Sequence, residues 1–188
     1  NLNNMVLCVA GNVSPQTVEE IANRLLKPCK KQTVQTFFPE EPYAVARDYV
    51  EQTFPVRVPL FQLGFKGTAG NARCTAKELA QTDILLFALA SNSSALYREL
   101  MEEKLINATF CHEFFEGPSY SSIIFSGESR DPQKTAQIIK KHVDRICEKG
   151  FDPQAFETAK RAVYGESVGM LNSTDAIANT LTEFAFTG

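Results

Sequence analysis

Residues Thr109–Gly127 read TFCHEFFEGPSYSSIIFSG, and their reading decides the fold. Two runs rich in Phe, Ile and Tyr flank Glu116-Gly117-Pro118-Ser119, a cluster of turn formers. Thr109–Phe115 is the first arm of a predicted β-hairpin and Tyr120–Gly127 the second. Helices follow at once. Asp131-Pro132-Gln133 sets an N-cap carboxylate before a first-turn proline. Ala136, Ile139, Val143 and Ile146 then recur at helical spacing, and Gly150 is a natural stop. Asp152-Pro153-Gln154 repeats the start signal, with Phe156, Ala159 and Val163 behind it. Gly165 and Gly169 weaken that helix, and Ser173 starts a last one through Ile177, Leu181 and Phe184. The repeated DPQ is helix-start chemistry, not an internal repeat.

Upstream of the hairpin, Leu96–Ile106 reads LYRELMEEKLI. Leu96, Tyr97, Leu100, Met101 and Leu105 share one helical face, and Arg98, Glu99, Glu102, Glu103 and Lys104 take the other. Such a charge run reads as a solvated face. Ser91–Ser94 caps this helix and breaks the one before it, Ala76–Ala90, which is apolar around most of its circumference and predicted buried. Leu60–Phe65 reads as a strand. Ala44–Phe54 is a further candidate strand, reached through a polar connector at 29–43 broken by Pro39 and Pro42. Met5–Ala10 is a short apolar strand, and Ser14-Pro15 opens a helix that carries Val18, Ile21, Ala22 and Leu25 and closes at Pro28. The predicted order is β-α-β-β-α-α-β-β-α-α-α. Adjacent strand pairs point to antiparallel neighbours. The expected fold is α+β, a mostly antiparallel sheet covered by helices, in a single domain over residues 1–188.

The chain has 188 residues, a formal net charge of −3, 14 Phe and no Trp. It carries no basic patch or stripe of the kind a nucleic-acid surface shows. No apolar run approaches the roughly 20 residues of a membrane span. The five cysteines, at 8, 29, 74, 111 and 147, are odd in number, widely spaced and free of CxxC pairs. That pattern fits free thiols in a reducing compartment, so a cytoplasmic location is expected. A chain that opens on a strand and stops after a helix is expected to be a fragment of a longer protein.

A search for chemistry finds no catalytic centre. The two histidines, His112 and His142, lack the HExxH or HxxEH spacing of a zinc site. His142 sits in KKHVDR and reads as a helix-surface residue. Cys111-His112-Glu113 would need its thiol beside a base, but neighbours on a strand point to opposite faces. Cys111 therefore reads as a buried strand cysteine. Gly64, Gly67 and Gly70 lack both the GxxxxGK[ST] and the GxGxxG spacing and read as a flexible turn. No GxSxG elbow exists.

Four segments, in order, carry a family resemblance: NMVLCVAGNVSPQTVEEI, SSALYRELMEEKLI, IIFSGESRDPQKTAQII, and GFDPQAFETAKRAVYGESVGMLNSTDAIANTLTEFAF. Together they resemble the non-catalytic, C-terminal-type half of insulinase/pitrilysin-type zinc metallopeptidases, nearest to bacterial members of the processing-protease branch. The resemblance implies an accessory domain with no catalytic and no metal residue of its own. It would pack on a preceding HxxEH domain of the same polypeptide that binds zinc, and form part of a chamber for peptide substrates. A second homologous subunit is a further implied partner; nucleic acid and membrane are not. Some such halves supply an Arg and a Tyr that hold the substrate carbonyl, in the segment matching LMEEKLIN; here Met101 and Asn107 stand near those positions. Phe114, Phe115 and Tyr120 are the candidate peptide contacts, with core or interdomain packing as the competing reading. Two other functions stay open. One is a zinc-free scaffold on the same fold, and the other is a stand-alone ligand-binding or interaction module.

Overall fold

The computed structural model describes residues 2–27, 29–30, 35, 37–38, 41–67 and 74–187. Its elements run α1 (Pro15–Leu25), β1 (Leu60–Lys66), α2 (Ala76–Ala90), α3 (Ala95–Glu102), β2 (Cys111–Gly117), β3 (Tyr120–Glu128), α4 (Pro132–Lys149), α5 (Pro153–Met170) and α6 (Thr174–Thr187). The chain forms two compact units. One comprises Phe38–Val163, and the other comprises Asn1–Phe37 with Tyr164–Gly188.

The larger unit is built on the hairpin. Gly117 pairs with Tyr120, leaving Pro118-Ser119 as a two-residue turn, and β2 and β3 continue antiparallel to Cys111↔Ser126. β1 lies antiparallel on the other side of β3, from Leu60↔Glu128 to Lys66↔Ser122. The sheet order is therefore β1-β3-β2. The α+β expectation holds. The helices cover one face, where strand alternation points Leu63, Phe65, Phe114, Ile123 and Phe125 into a core shared with Leu86, Leu96, Leu100 and Ile139. Phe125 is fully buried; its ring stacks on Phe110 with centroids 6.4 Å apart and meets Phe65 edge-on at 6.0 Å. The core cluster takes five of the chain's 14 Phe, and edge-to-face and offset pairs add to their burial energy.

Helix ends are set largely by side chains. Ser94 Oγ accepts from Tyr97 N–H at 3.0 Å, Asp131 Oδ1 from Lys134 N–H at 3.0 Å, and Asp152 Oδ1 from Ala155 N–H at 2.9 Å. Each satisfies an orphan donor of a first turn. α2 has a full capping box, with Glu78 Oε2 accepting from Thr75 N–H at 2.7 Å in return. α3 stops in a Schellman turn: Leu105 N–H reaches Leu100 O and Lys104 N–H reaches Met101 O, both at 3.0 Å, with Lys104 at φ +54°.

The smaller unit holds a short 3₁₀ turn at Leu2–Asn4, α1, the end of α5, and α6. The side-chain amide of Asn3 donates to Lys30 O at 2.7 Å. Ser173 Oγ accepts from Ala176 N–H at 3.2 Å to start α6.

Several expectations are corrected. Met5–Ala10 and Ala44–Phe54 form no strand; Met5, Leu7, Tyr49 and Phe54 are each more than 60% exposed. A short apolar run fixes neither helix nor strand until a neighbour pairs with it in register. Ser14 sits at the N-cap of α1, but its hydroxyl donates to Gln16 Oε1 at 2.8 Å and accepts nothing from the backbone. α2 buries only Leu86 and Ala90, and Leu85 stays exposed, so its all-round apolarity does not mean all-round burial. Met101, expected on the covered face of α3, is also exposed. α5 runs unbroken through Gly165 and Gly169. Pro28, Pro39 and the Thr68–Asn71 part of the glycine-rich turn lie outside the described residues.

Candidate functional site

The hairpin alternates faces residue by residue. His112, Phe114 and Glu116 turn toward the helices; Cys111, Glu113 and Phe115 are exposed on the other face. Cys111 and His112 do diverge. Cys111 is nevertheless exposed, not buried as expected of a strand cysteine, because the sheet face it occupies is not the helix-covered one; its Sγ lies 3.1 Å from Ser126 Oγ.

The three candidate aromatics separate accordingly. Phe114 packs against the core. Phe115 and Tyr120 lie together on the exposed face, stacked with ring centroids 5.4 Å apart and planes 29° apart. Gly117 makes this possible: a Cβ there would overlap the Tyr120 ring, which lies across it. Phe115 remains 48% exposed. Next to this platform, Phe115, Ser122 and Lys66 form one cross-strand row, and Glu113, Ile124 and Gly64 the next. Lys66 Nζ is held by Glu41 at 2.6 Å. A flat aromatic pair with a cation and a carboxylate nearby suits side chains of an extended peptide.

On the helix side, titratable groups are tied to one another. His112 is desolvated by burial, which pushes its pKa down, and nearby Asp83 opposes that shift. Burial likewise raises the Asp83 carboxyl, with His112 pulling the other way. Cys74 N–H donates to Glu116 Oε2 at 3.1 Å, and the hydrogen bond from the Cys74 thiol to that carboxylate, with burial, pushes the thiol up to about 11. A thiol so held is a poor nucleophile at neutral pH.

His142 is the residue that sequence reasoning misplaced. It is buried on α4, 7% exposed, and its Nε2 lies 2.7 Å from Glu99 Oε2 on α3. That hydrogen bond, helped by Lys141 at 3.5 Å, holds the Glu99 carboxyl below its usual range. The available signal was spacing: Thr135, Ile138, Ile139 and His142 form the buried stripe, rotated by one residue from the purely apolar stripe at Ala136, Ile139, Val143 and Ile146. Among the described residues no group of three or more His, Cys, Asp and Glu side chains is placed to hold a metal ion. Among the same residues no helix is long and apolar enough to cross a membrane.

Three comparisons bear on this geometry. The family model described as the peptidase M16 inactive domain matches residues 1–163. An uncharacterized zinc protease of Bacillus subtilis (strain 168), YmfH, is 29% identical over 190 residues, covering 97% of this chain and 44% of the relative. The crystal structure of an M16-like peptidase from Alicyclobacillus acidocaldarius superposes with a TM-score of 0.78 at 24% identity, over 92% of this chain and 41% of that one. The chain thus spans less than half the length of either protein.

Proposed function

The chain belongs to the peptidase M16 inactive-domain family, and from that premise we propose that it is the accessory domain of a zinc-dependent endopeptidase. In this reading it packs on a separate HxxEH domain of the same polypeptide, where the Glu acts as general base on zinc-bound water. With that domain, and with a second homologous subunit where one exists, it encloses a chamber for peptides. Zinc belongs to the catalytic domain. The location is cytoplasmic, in keeping with five free cysteines. Phe115 and Tyr120 contact peptide in the chamber, whereas Phe114 contributes through the core beneath them.

The observation that carries this reading is the match of an inactive peptidase domain to residues 1–163. Support comes from a zinc-protease relative more than twice as long as the region it shares with this chain. The test compares the longer parent protein with this chain, measuring bound zinc and cleavage of an unfolded peptide. Zinc and chelator-sensitive cleavage in the parent, with neither in the isolated chain, is the expected result. Chelator-sensitive cleavage by the isolated chain refutes it, and a parent with neither zinc nor activity replaces it with the zinc-free scaffold.

A further inference from the structure

A cavity of about 410 Å³ opens in the larger unit where the N-terminal ends of α3 and α5 meet α4. Its volume falls in the range of small-ligand sites. Arg98 of α3 and Arg145 of α4 both line it, and among the described residues neither guanidinium has a hydrogen-bond or ion-pair partner. Of the neighbouring carboxylates, Glu99 and Asp152 are engaged elsewhere, while Glu102 and Glu148, a turn along from Arg98 and Arg145, lie outside the cavity lining and make no ion pair with either. Glu99 is engaged by His142 and Lys141, and Asp152, which also lines the cavity, caps Ala155 N–H at 2.9 Å. Two arginines and one carboxylate thus line a space whose other walls include Leu96, Ile146 and Phe151. Guanidinium forks match planar carboxylates in paired hydrogen bonds. The apolar walls favour a carboxylate carried on an apolar group over a free inorganic anion.

We propose that this cavity binds the carboxylate of a peptide through Arg98 and Arg145, with an apolar side chain of the peptide against Leu96, Ile146 and Phe151. A peptide C-terminus ending in a residue such as Leu supplies both features at once. The site lies on the helices, apart from the aromatic pair on the exposed face of the sheet, and involves no zinc. The inference rests on the accessory-domain reading only for its choice of a peptide ligand. Binding is measured on this chain without cleavage, so either idea can fail alone.

The experiment is fluorescence anisotropy with the whole 188-residue chain and three fluorescein-labelled hexapeptides. One ends in Ala-Leu with a free carboxylate. The second is its C-terminal amide, and the third is the amide with Glu in the penultimate position. Saturable binding of the free acid, weakened about tenfold or more in the amide, is expected, as is loss of affinity with added salt. Arg98→Gln/Arg145→Gln lowers affinity by a similar factor without changing the circular dichroism spectrum, since both arginines are exposed. If the Glu-containing amide binds like the free acid, the carboxylate comes from an acidic side chain and the site stands. The proposal is overturned by equal binding of acid and amide, by an unaffected double variant, or by inorganic phosphate competing as well as the free-acid peptide.

Discussion

Replacing Lys104 with glycine makes the chain more stable, although it removes a side chain. Lys104 occupies the left-handed position that ends α3, at φ +54°, the one non-glycine residue with positive φ among those described. There the Cβ of an L-residue crowds the following carbonyl oxygen, which costs about 1–2 kcal/mol. The conformation persists because the turn is fixed on both sides. Two backbone hydrogen bonds of 3.0 Å close it, and Leu100 and Leu105, which bracket it, are 0% and 6% exposed. Glycine removes the crowding. Against that gain, the freer unfolded chain of a glycine costs about 0.5–1 kcal/mol, and losing a cation at a helix C-terminus costs about 0.3 kcal/mol. The net gain is about 0.5 kcal/mol, or a rise of roughly 1–2 °C in Tm for a chain this size. Lys104→Ala keeps the crowding and loses the cation, so it falls at or slightly below the starting protein. Urea melts of the three proteins are the assay. An alanine variant more stable than the glycine variant would refute a left-handed helix stop at this position.

Gly127 obeys the opposite rule. At φ +152° its Cβ would lie 3.0 Å from Phe110 Cα and 3.1 Å from Phe110 N, and backbone cannot move aside cheaply, so Gly127→Ala should cost about 2–3 kcal/mol in a urea melt. The acid limb of stability reports on Glu99. Its folded pKa is held below the ordinary 4.5, chiefly by His142, so its contribution is complete above that value and is lost as pH falls through the lowered one. Glu99→Gln lacks this component, and the gap in urea midpoint between it and the parent should narrow between pH 7 and pH 3; a constant gap would contradict the assignment. Cys74, its thiol pushed up to about 11 by Glu116 and burial, should react with iodoacetamide at pH 8 at least roughly tenfold more slowly than a cysteine peptide. Glu116→Gln should speed it, as read by mass spectrometry.

Helices were legible in this sequence because their starts are written in local chemistry. Ser94, Asp131, Asp152 and Ser173 each cap the helix that their position announces. The hairpin was legible for the same reason, through its glycine-proline turn. Strands that depend on distant partners were not. Leu60–Lys66 pairs with β3 across 55 or more intervening residues, and Met5–Ala10, of similar composition, pairs with none among the described residues. Periodicity alone cannot separate the two. Thr135 and His142 were hidden by their polarity, since a search for apolar stripes passes over a buried Thr whose Oγ1 lies 2.8 Å from Ser129 Oγ. The aromatic platform was half visible: alternation separates Phe114 from Phe115, but the stacking of Phe115 on Tyr120 needs the turn geometry. The cavity was invisible, because Arg98 and Arg145 come from different helices.

The charged face of LYRELMEEKLI turns out to be neither an active site nor simply wet. Glu99 reaches His142 and Lys141, while Glu103, one turn further on, reaches Lys134 at 2.7 Å. Moving forward along α3 thus means moving backward along α4, so the two helices lie antiparallel with a seam of carboxylates and cations along their contact. Each exposed pair is worth no more than about 1 kcal/mol. Their larger effect is on orientation, since a seam closed at two points a turn apart fixes how α3 can rotate against α4. Arg98 and Arg145, on the same two helices, take no part in this seam and have no acidic partner among the described residues, and both line the cavity. The pairing that makes the helix structural thus draws on neither arginine, and both remain uncommitted beside the cavity.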